Sequence, residues 1–331
     1  MKRSLIPGLA VILIPAIYLF AGGKSEENVI KANEISYAIH TAPNTIEHKA
    51  AQKLKEIIEA KSSGKYAIKL FPGAALGGEK DNIEQLKVGE VQLSIFGDIL
   101  PSVLAAKYSP TVIPFIYPNI ESVYTAWNGK LGIMMKKSIE ENGLVVLGLQ
   151  KRGARNLTSN RPVRKPDDLK GLKIRVPEIP AWVKVWKQLG ALPTPIAWPE
   201  VYNSLQLKVV DAQENPYANI YTAKLYEVQK YLVHTQHLFN VFHWAASKKW
   251  YDSLPEGDKN MFSAAVKEVT AWADKETDAE ASRLLSELKA KGMEVIEING
   301  VEFRQSALPA IKEISKDWAP GVYEEVKQFL E

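Results

Sequence analysis

Apolar and polar residues alternate over residues 34–42, which predicts a first strand. Asn44 with Glu47 three places on reads as a capping pair. The helix it opens has Ile46, Ala50, Leu54, Ile57 and Ile58 on one face and Gly64 at its end. Residues 66–71 predict a second strand, 72–78 a Gly/Ala-rich loop, 79–87 a short helix and 91–96 a third strand. This βαβαβ order predicts a parallel sheet with helices on its faces. In such sheets ligands sit beyond the carboxyl ends of the strands, where His40, the loop through Glu79, and Gly97-Asp98 fall.

The pattern continues with helices at 120–127 and 131–142 and a strand at 144–149. At 150–155 the chain is expected to cross into a second lobe. That lobe is built from a strand at 172–176, helices at 179–189 and 199–207, and a strand at 209–213. Asn215-Pro216 opens a helix running to about residue 227, and 230–235 is another strand. The chain then returns to the first lobe at 239–247. A helical pattern from 253 to 291 exceeds the usual helix length, a strand follows at 293–298, and helices at 307–316 and 321–330 end the chain.

At 331 residues the chain can hold two domains with a core each. The net charge of +4 comes from basic residues interspersed with acidic ones, which is no nucleic-acid footprint. The absence of cysteine excludes disulfides, zinc–thiolate sites, cysteine nucleophiles and a lipid-modified cysteine. Met1-Lys2-Arg3, an apolar run over 5–20, and Ala21-Gly22-Gly23 predict a cleaved signal peptide at 1–21. An uncleaved anchor is disfavoured, because the run is short for a span of ~20 residues and holds Pro7 and Pro15. Residues 22–33 read as a polar leader.

The stretch 153–216 carries the candidate chemistry. Gly153-Ala-Arg155-Asn-Leu-Thr158 is followed by Gly171-Leu-Lys-Ile-Arg175-Val-Pro177, then Pro195-Ile-Ala-Trp198-Pro-Glu200-Val-Tyr202, then Asp211-Ala-Gln-Glu214-Asn215-Pro216. Arg175 closes a short apolar run that ends at Pro177. A guanidinium fixed at a strand end can hold a carboxylate through two parallel N–H···O bonds, which lysine cannot do. The competing reading is a structural salt bridge.

These segments, in this order and with these gaps, resemble the extracytoplasmic solute receptors of TRAP transporters, and weaker similarity runs from about residue 34 to the C-terminus. One departure is Ala212, where the family usually has Gly. The resemblance implies a two-lobed periplasmic-binding-protein-like α/β fold, with the ligand cleft between the lobes and a long helix spanning both. The expected division is 34–152 and 239–275 for lobe I, and 153–238 and 276–331 for lobe II.

By resemblance, Arg175 makes a two-pronged contact to a substrate carboxylate, Arg155 supplies a second cation, and Asn215 adds its amide. Two arginines exceed the charge of one carboxylate, a surplus that favours an anion. An Asn before Pro also suits a helix cap, which would use the side-chain oxygen and leave the NH₂ free. Trp198 matches an aromatic position that stacks on the ligand, with core packing as its competing role. Arg152 lies nearby and is not expected to take part. His40, Glu79 and Asp98 match cleft positions in the first lobe, and Glu178 offers a further acceptor; a solvated surface charge is the alternative for Asp98 and Glu178. His234 and His237 have a metal-like spacing, but no clustered carboxylates accompany them, so no metal is expected.

The expectation is therefore a periplasmic receptor, not an enzyme, without cofactor and monomeric. It captures a small organic acid and delivers it to a TRAP membrane permease. Carboxylates opposite the arginines would repel a second acid group, which favours a uronate or aldonate sugar acid. Gly97 and Glu178 do not suit the sialic-acid subgroup. The alternatives are a simpler hydroxy- or keto-acid, a C4-dicarboxylate, a secreted lyase using His40 and Glu79, and a sensor domain.

Overall fold

The computed structural model describes residues 32–331; the expected signal peptide and nearly all of the leader lie outside them. Strand β1 (Asn33–Ile39) leads through Thr41 to Asn44 into helix α1 (Ile46–Lys61). Thr45, not Asn44, caps that helix, its hydroxyl accepting from the His48 N–H at 3.3 Å. Asn44 has φ 68° and donates its own N–H to His48 Nδ1 at 3.0 Å, which corrects the expected capping pair. Strand β2 (Tyr66–Phe71), helix α2 (Glu79–Val88) and strand β3 (Leu93–Phe96) follow at close to the expected positions. Helices α3 (Ile99–Leu104), α4 (Ile120–Asn128) and α5 (Lys130–Glu141) lead to β4 (Leu144–Ser159).

β4 runs 16 residues, far beyond the short strand expected at 144–149. Past it come β5 (Lys173–Val176), α6 (Pro180–Gln188), β6 (Leu192–Pro195), α7 (Val201–Gln206), β7 (Ala212–Asn215) and α8 (Tyr217–Thr222). The strands expected at 230–235 and 239–247 are one strand, β8 (Tyr231–Ser247). Helix α9 (Lys248–Asp252), the long α10 (Glu256–Ala290), β9 (Glu294–Ile296), α11 (Gly300–Ser315) and α12 (Val322–Val326) complete the chain.

The nine strands form one mixed sheet in the order β2-β1-β3-β8-β4-β7-β5-β6, with β9 beside β8. β1 is parallel to both β2 and β3, and β5 is parallel to both β6 and β7. The antiparallel pair β4–β8 joins these two parallel halves. The fold is thus the two-lobed α/β architecture, with two long strands common to both halves. β6 was not anticipated, because Pro193 and Pro195 interrupt it; as the last strand of the sheet it needs no ladder donors on its outer side.

α10 has 35 residues and is roughly 50 Å long at 1.5 Å per residue. Its first half packs Phe262, Val266 and Val269 into the core under β1 and α1, while Leu288 joins Leu232 and Met293 in a separate cluster. Near its middle, Asp274 accepts from the Lys151 N–H at 2.6 Å and the Tyr124 hydroxyl at 2.7 Å, tying the helix to β4. Gly148 lets the helix approach: a Cβ there would lie 2.6 Å from Val266. Residues past α11 turn back onto the segment between α3 and α4, the Ala319 N–H donating to the Lys107 carbonyl at 2.9 Å and Phe329 packing on Tyr117 at 5.0 Å.

Candidate functional site

Several candidate residues sit at the carboxyl ends of parallel strands: His40 just past β1, Gly97-Asp98 past β3, Arg175 near the end of β5, and Asn215 as the last residue of β7. The two halves turn these ends toward one small space, about 20 Å³ of it free. His40, Glu79, Asp98, Arg155, Arg175, Trp198 and Asn215 all line it, and so does Arg152. Ile99, Pro177 and Ile179 supply its apolar wall. The free volume is room for about one water molecule, so a larger ligand needs the two sides to part. A larger groove of about 530 Å³ lies beyond Ile179, but its walls are apolar residues such as Val112, Ile113 and Ile314, with lysines among them, and none of the convergent charges reaches it.

On the first-lobe side, His40 places Nδ1 3.1 Å from the Ile95 carbonyl and Nε2 3.8 Å from Glu79. Glu79 accepts the Gly97 N–H at 2.6 Å. Asp98 accepts from the Asn240 amide at 2.6 Å, and its Oδ2 lies 3.9 Å from both Arg152 and Arg155. Burial pushes the Asp98 carboxyl up from its ordinary range despite those cations.

On the opposite side, Arg155 is held by a buried carboxylate. Its Nε donates to Glu214 Oε2 at 2.5 Å and its Nη2 to Oε1 at 2.8 Å. His237 stands 3.0 Å from Glu214 through Nε2, and its Nδ1 is 2.7 Å from the Thr235 hydroxyl. Burial pulls the His237 imidazole down, so it is the neutral ring that donates to Glu214 and accepts from Thr235. Burial pushes the Glu214 carboxyl up, but the Arg155 charge and the bonds from His237 and Arg155 outweigh it and hold the group below its usual range.

Arg175 differs. It is 3 % exposed, and its Nε and Nη2 both donate to the neutral carbonyl of Ile196, at 2.8 and 2.6 Å. Among the described residues it forms no ion pair. Burial pulls its guanidinium down to about 10, although the charges of Glu214 and Glu79 act the other way, so it stays charged at neutral pH. The expectation of two cations free for a ligand is therefore corrected: Glu214 pairs with Arg155, and of the two only Arg175 is left without an ion pair among the described residues. Trp198 lies 6.0 Å from that guanidinium, ring to cation.

The Asn215 amide is also arranged contrary to expectation. Its NH₂ donates to Gln213 at 2.7 Å, while its buried Oδ1 has no partner among the described residues; Pro216, not Asn215, is the cap residue of α8. Gln213 in turn donates to Thr158, and Thr158 to Gln229, each at 2.8 Å, so a chain of buried polar groups fixes β7. Glu178 does not line the cavity. It pairs with Lys80 at 2.9 Å on the surface, between Pro177 and Ile179 on one side and next to Glu79 on the other.

Sequence reasoning missed Arg152 and the roles of Glu214 and His237. In a regular strand, residues three apart point to opposite faces. The ladder of β4 slips between Lys151 and Gly153, and Gly153 takes φ 92°, so Arg152 and Arg155 reach the same cavity. The glycine was the available signal. His234 and His237 go to separate partners, His234 to Tyr217 and Glu297. Among the described residues no cluster of three or more His, Cys, Asp or Glu could hold a metal ion.

Residues 37–317 match the family model described as bacterial extracellular solute-binding protein, family 7. A solute-binding protein of Roseobacter denitrificans is 32% identical over 98% of this chain and 97% of its own. A TRAP periplasmic solute-binding protein of that organism, solved with bound L-galactonate, superposes with a TM-score of 0.83 at 30% identity, over 90% of this chain and 98% of that one. A TRAP periplasmic solute-binding protein of Bordetella, with density assigned to pantoate, superposes with a TM-score of 0.85 at 32% identity, over 90% and 99% of the two chains. The 2,3-diketo-L-gulonate-binding periplasmic protein of Escherichia coli is 30% identical over 81% of this chain and 82% of its own. Among the described residues no helix is long and apolar enough to cross a membrane.

Proposed function

Because the chain belongs to family 7 of the bacterial extracellular solute-binding proteins, as an extracytoplasmic solute receptor of the TRAP type, we propose that it captures a sugar acid with one carboxylate, a uronate or an aldonate. The observation that carries this reading is the uneven charge of the cavity. Arg175 is a buried cation whose only described hydrogen-bond partner is neutral, so it is ready for a carboxylate. Glu79 and Asp98 lie at the other side, where they accept hydrogen bonds and repel a second acid group. Hydroxyl groups, which donate and accept, suit that side. The Trp198 indole gives a flat face for the C–H side of a polyol.

The polyhydroxy and hydroxy acids in the named relatives support the same class. The acid enters an open form, and bonds from both lobes hold the closed one, a hinge closure. The closed receptor then docks on a TRAP membrane permease. This takes place in the periplasm, after export and removal of residues 1–21.

Thermal-shift screening against aldonates, uronates and C4-dicarboxylates tests the reading, since a ligand of the folded state alone raises the melting temperature. A shift with a sugar acid that is absent in Arg175→Ala is the expected result. A shift with dicarboxylates only, or one that persists in Arg175→Ala, overturns it.

A further inference from the structure

The geometry points to Arg152 as a second ligand anchor, a specificity-determining donor that holds the hydroxyl-bearing end of the sugar acid while Arg175 holds its carboxylate. The inference rests on the sugar-acid reading and adds a contact to it.

Arg152 is 8 % exposed and lines the cavity. Its guanidinium packs over the Phe242 ring at 4.4 Å, and its Nη1 stops 3.9 Å from Asp98, too far for a hydrogen bond. Its Nε is buried without a partner. Among the described residues, this group of five N–H donors makes no hydrogen bond at all. Buried polar groups in folded proteins are nearly always satisfied, so the missing acceptor is expected from what enters the cavity.

Two features set the chemistry of that acceptor. Asp98 lies beside the guanidinium, and Glu79 lies within 3.5 Å of where a Gly97 Cβ would stand, on the side the guanidinium also approaches. The negative charge needed to compensate Arg152 is therefore already present, and neutral oxygens fit better than a second carboxylate. A sugar hydroxyl accepts from Arg152 and donates to Asp98 or Glu79 in one step.

Gly97 makes the arrangement possible. A Cβ at that position would lie 2.3 Å from Nη1. Any larger residue would drive the guanidinium out of its place, so the absent side chain at 97 and the arginine at 152 form one device.

Isothermal titration of L-galactonate, D-galacturonate, D-erythronate and galactarate tests this, using the wild type, Arg152→Met, Gly97→Ala and the double variant. Met keeps an unbranched apolar side chain at 152 and removes the donors. The expected result is a Kd raised at least tenfold in Arg152→Met for the six-carbon acid that the wild type holds, as for a lost hydrogen bond to a charged group. A smaller rise is expected for the four-carbon erythronate. Gly97→Ala should weaken the same acid, and the double variant should be no weaker than Arg152→Met. An unchanged Kd in Arg152→Met, or galactarate held more tightly than galactonate by the wild type, overturns the role of Arg152. Should Arg152→Met fail to fold, additive losses from Gly97→Ala and Arg152→Lys overturn it instead. A wild type that holds none of these acids sinks the sugar-acid reading itself, which separates the two failures.

Discussion

Arg155 and Glu214 hold each other by two parallel N–H···O bonds of 2.5 and 2.8 Å, and both side chains are buried. The pair is complete before any ligand arrives. Its first consequence is structural: truncating one partner of a buried ion pair leaves an uncompensated charge and costs about 3–5 kcal/mol. Glu214→Leu should lose stability on that scale in urea denaturation of the ligand-free protein. A loss below about 1 kcal/mol would show that the pair contributes no more than a surface one.

Arg175 should behave in the opposite way. Among the described residues it forms no ion pair, and burial already pulls the group down. Arg175→Met removes a desolvated cation and keeps apolar bulk, so the ligand-free protein should be as stable as the wild type or more so. Affinity for any acid ligand should fall about 10- to 150-fold, the equivalent of one charge-assisted contact of about 1.5–3 kcal/mol. Paired denaturation and titration experiments check both halves. A destabilised apo protein with intact affinity would reverse the assignment.

These contrasts show what the sequence could and could not reveal. The β1–α1–β2–α2–β3 unit was legible because apolar periodicity and glycine punctuation mark each element. β4 and β8 were not, because Gln150, Lys151 and Arg152 break the apolar alternation of β4, and Thr235, Gln236 and His237 break that of β8. The ladder slips at both interruptions, and at the first of them Arg152 reaches the cavity. Arg175 and Arg155 were legible as residues of a motif, but their unequal charge states depend on Glu214, which reaches Arg155 from β7. Periodicity along one chain carries no information about that cross-strand partner. Glu178 was read as a cavity acceptor because it follows Arg175 by three, whereas the turn after Pro177 carries it to the rim.

At that rim, Lys80 and Glu178 join the two segments that line the cavity from opposite sides. Both are partly exposed, so their bond is screened by salt and worth little, about 0.2–1 kcal/mol. Lys80→Ala or Glu178→Ala should weaken ligand binding by no more than about fivefold, chiefly through faster release. The charge swap Lys80→Glu with Glu178→Lys should restore most of it. Stopped-flow release rates at low and high salt measure this; a swap as weak as either single variant would remove the bond from the closing mechanism.

The last prediction concerns pH. His243 is buried against Trp127, with Nδ1 3.1 Å from the Gly97 carbonyl and 3.3 Å from that of Phe96, so Nδ1 carries the proton of the neutral ring. Nε2 is buried and, among the described residues, has no partner. A second proton there would put a charge in an apolar site that also feels Arg152, and burial pulls the imidazole down to about 4. The unfolded value is about 6.5. Above that value neither state binds the proton and His243 contributes nothing to the pH dependence. Below it the unfolded chain takes up a proton that the folded chain refuses, so stability falls as pH falls, by on the order of 3 kcal/mol by pH 4. His237, also pulled down by burial, adds a slope of the same sign. Asp98, pushed up by burial, acts in the opposite sense from the ordinary carboxylate range upward. Urea denaturation of ligand-free protein between pH 7.5 and 4.5 should show the decline beginning near 6.5. NMR titration of the His243 ring should find it still neutral at pH 5. An imidazole that titrates near 6.5 would mean that the ring is solvated and that the carbonyls of Phe96 and Gly97 do not fix its tautomer.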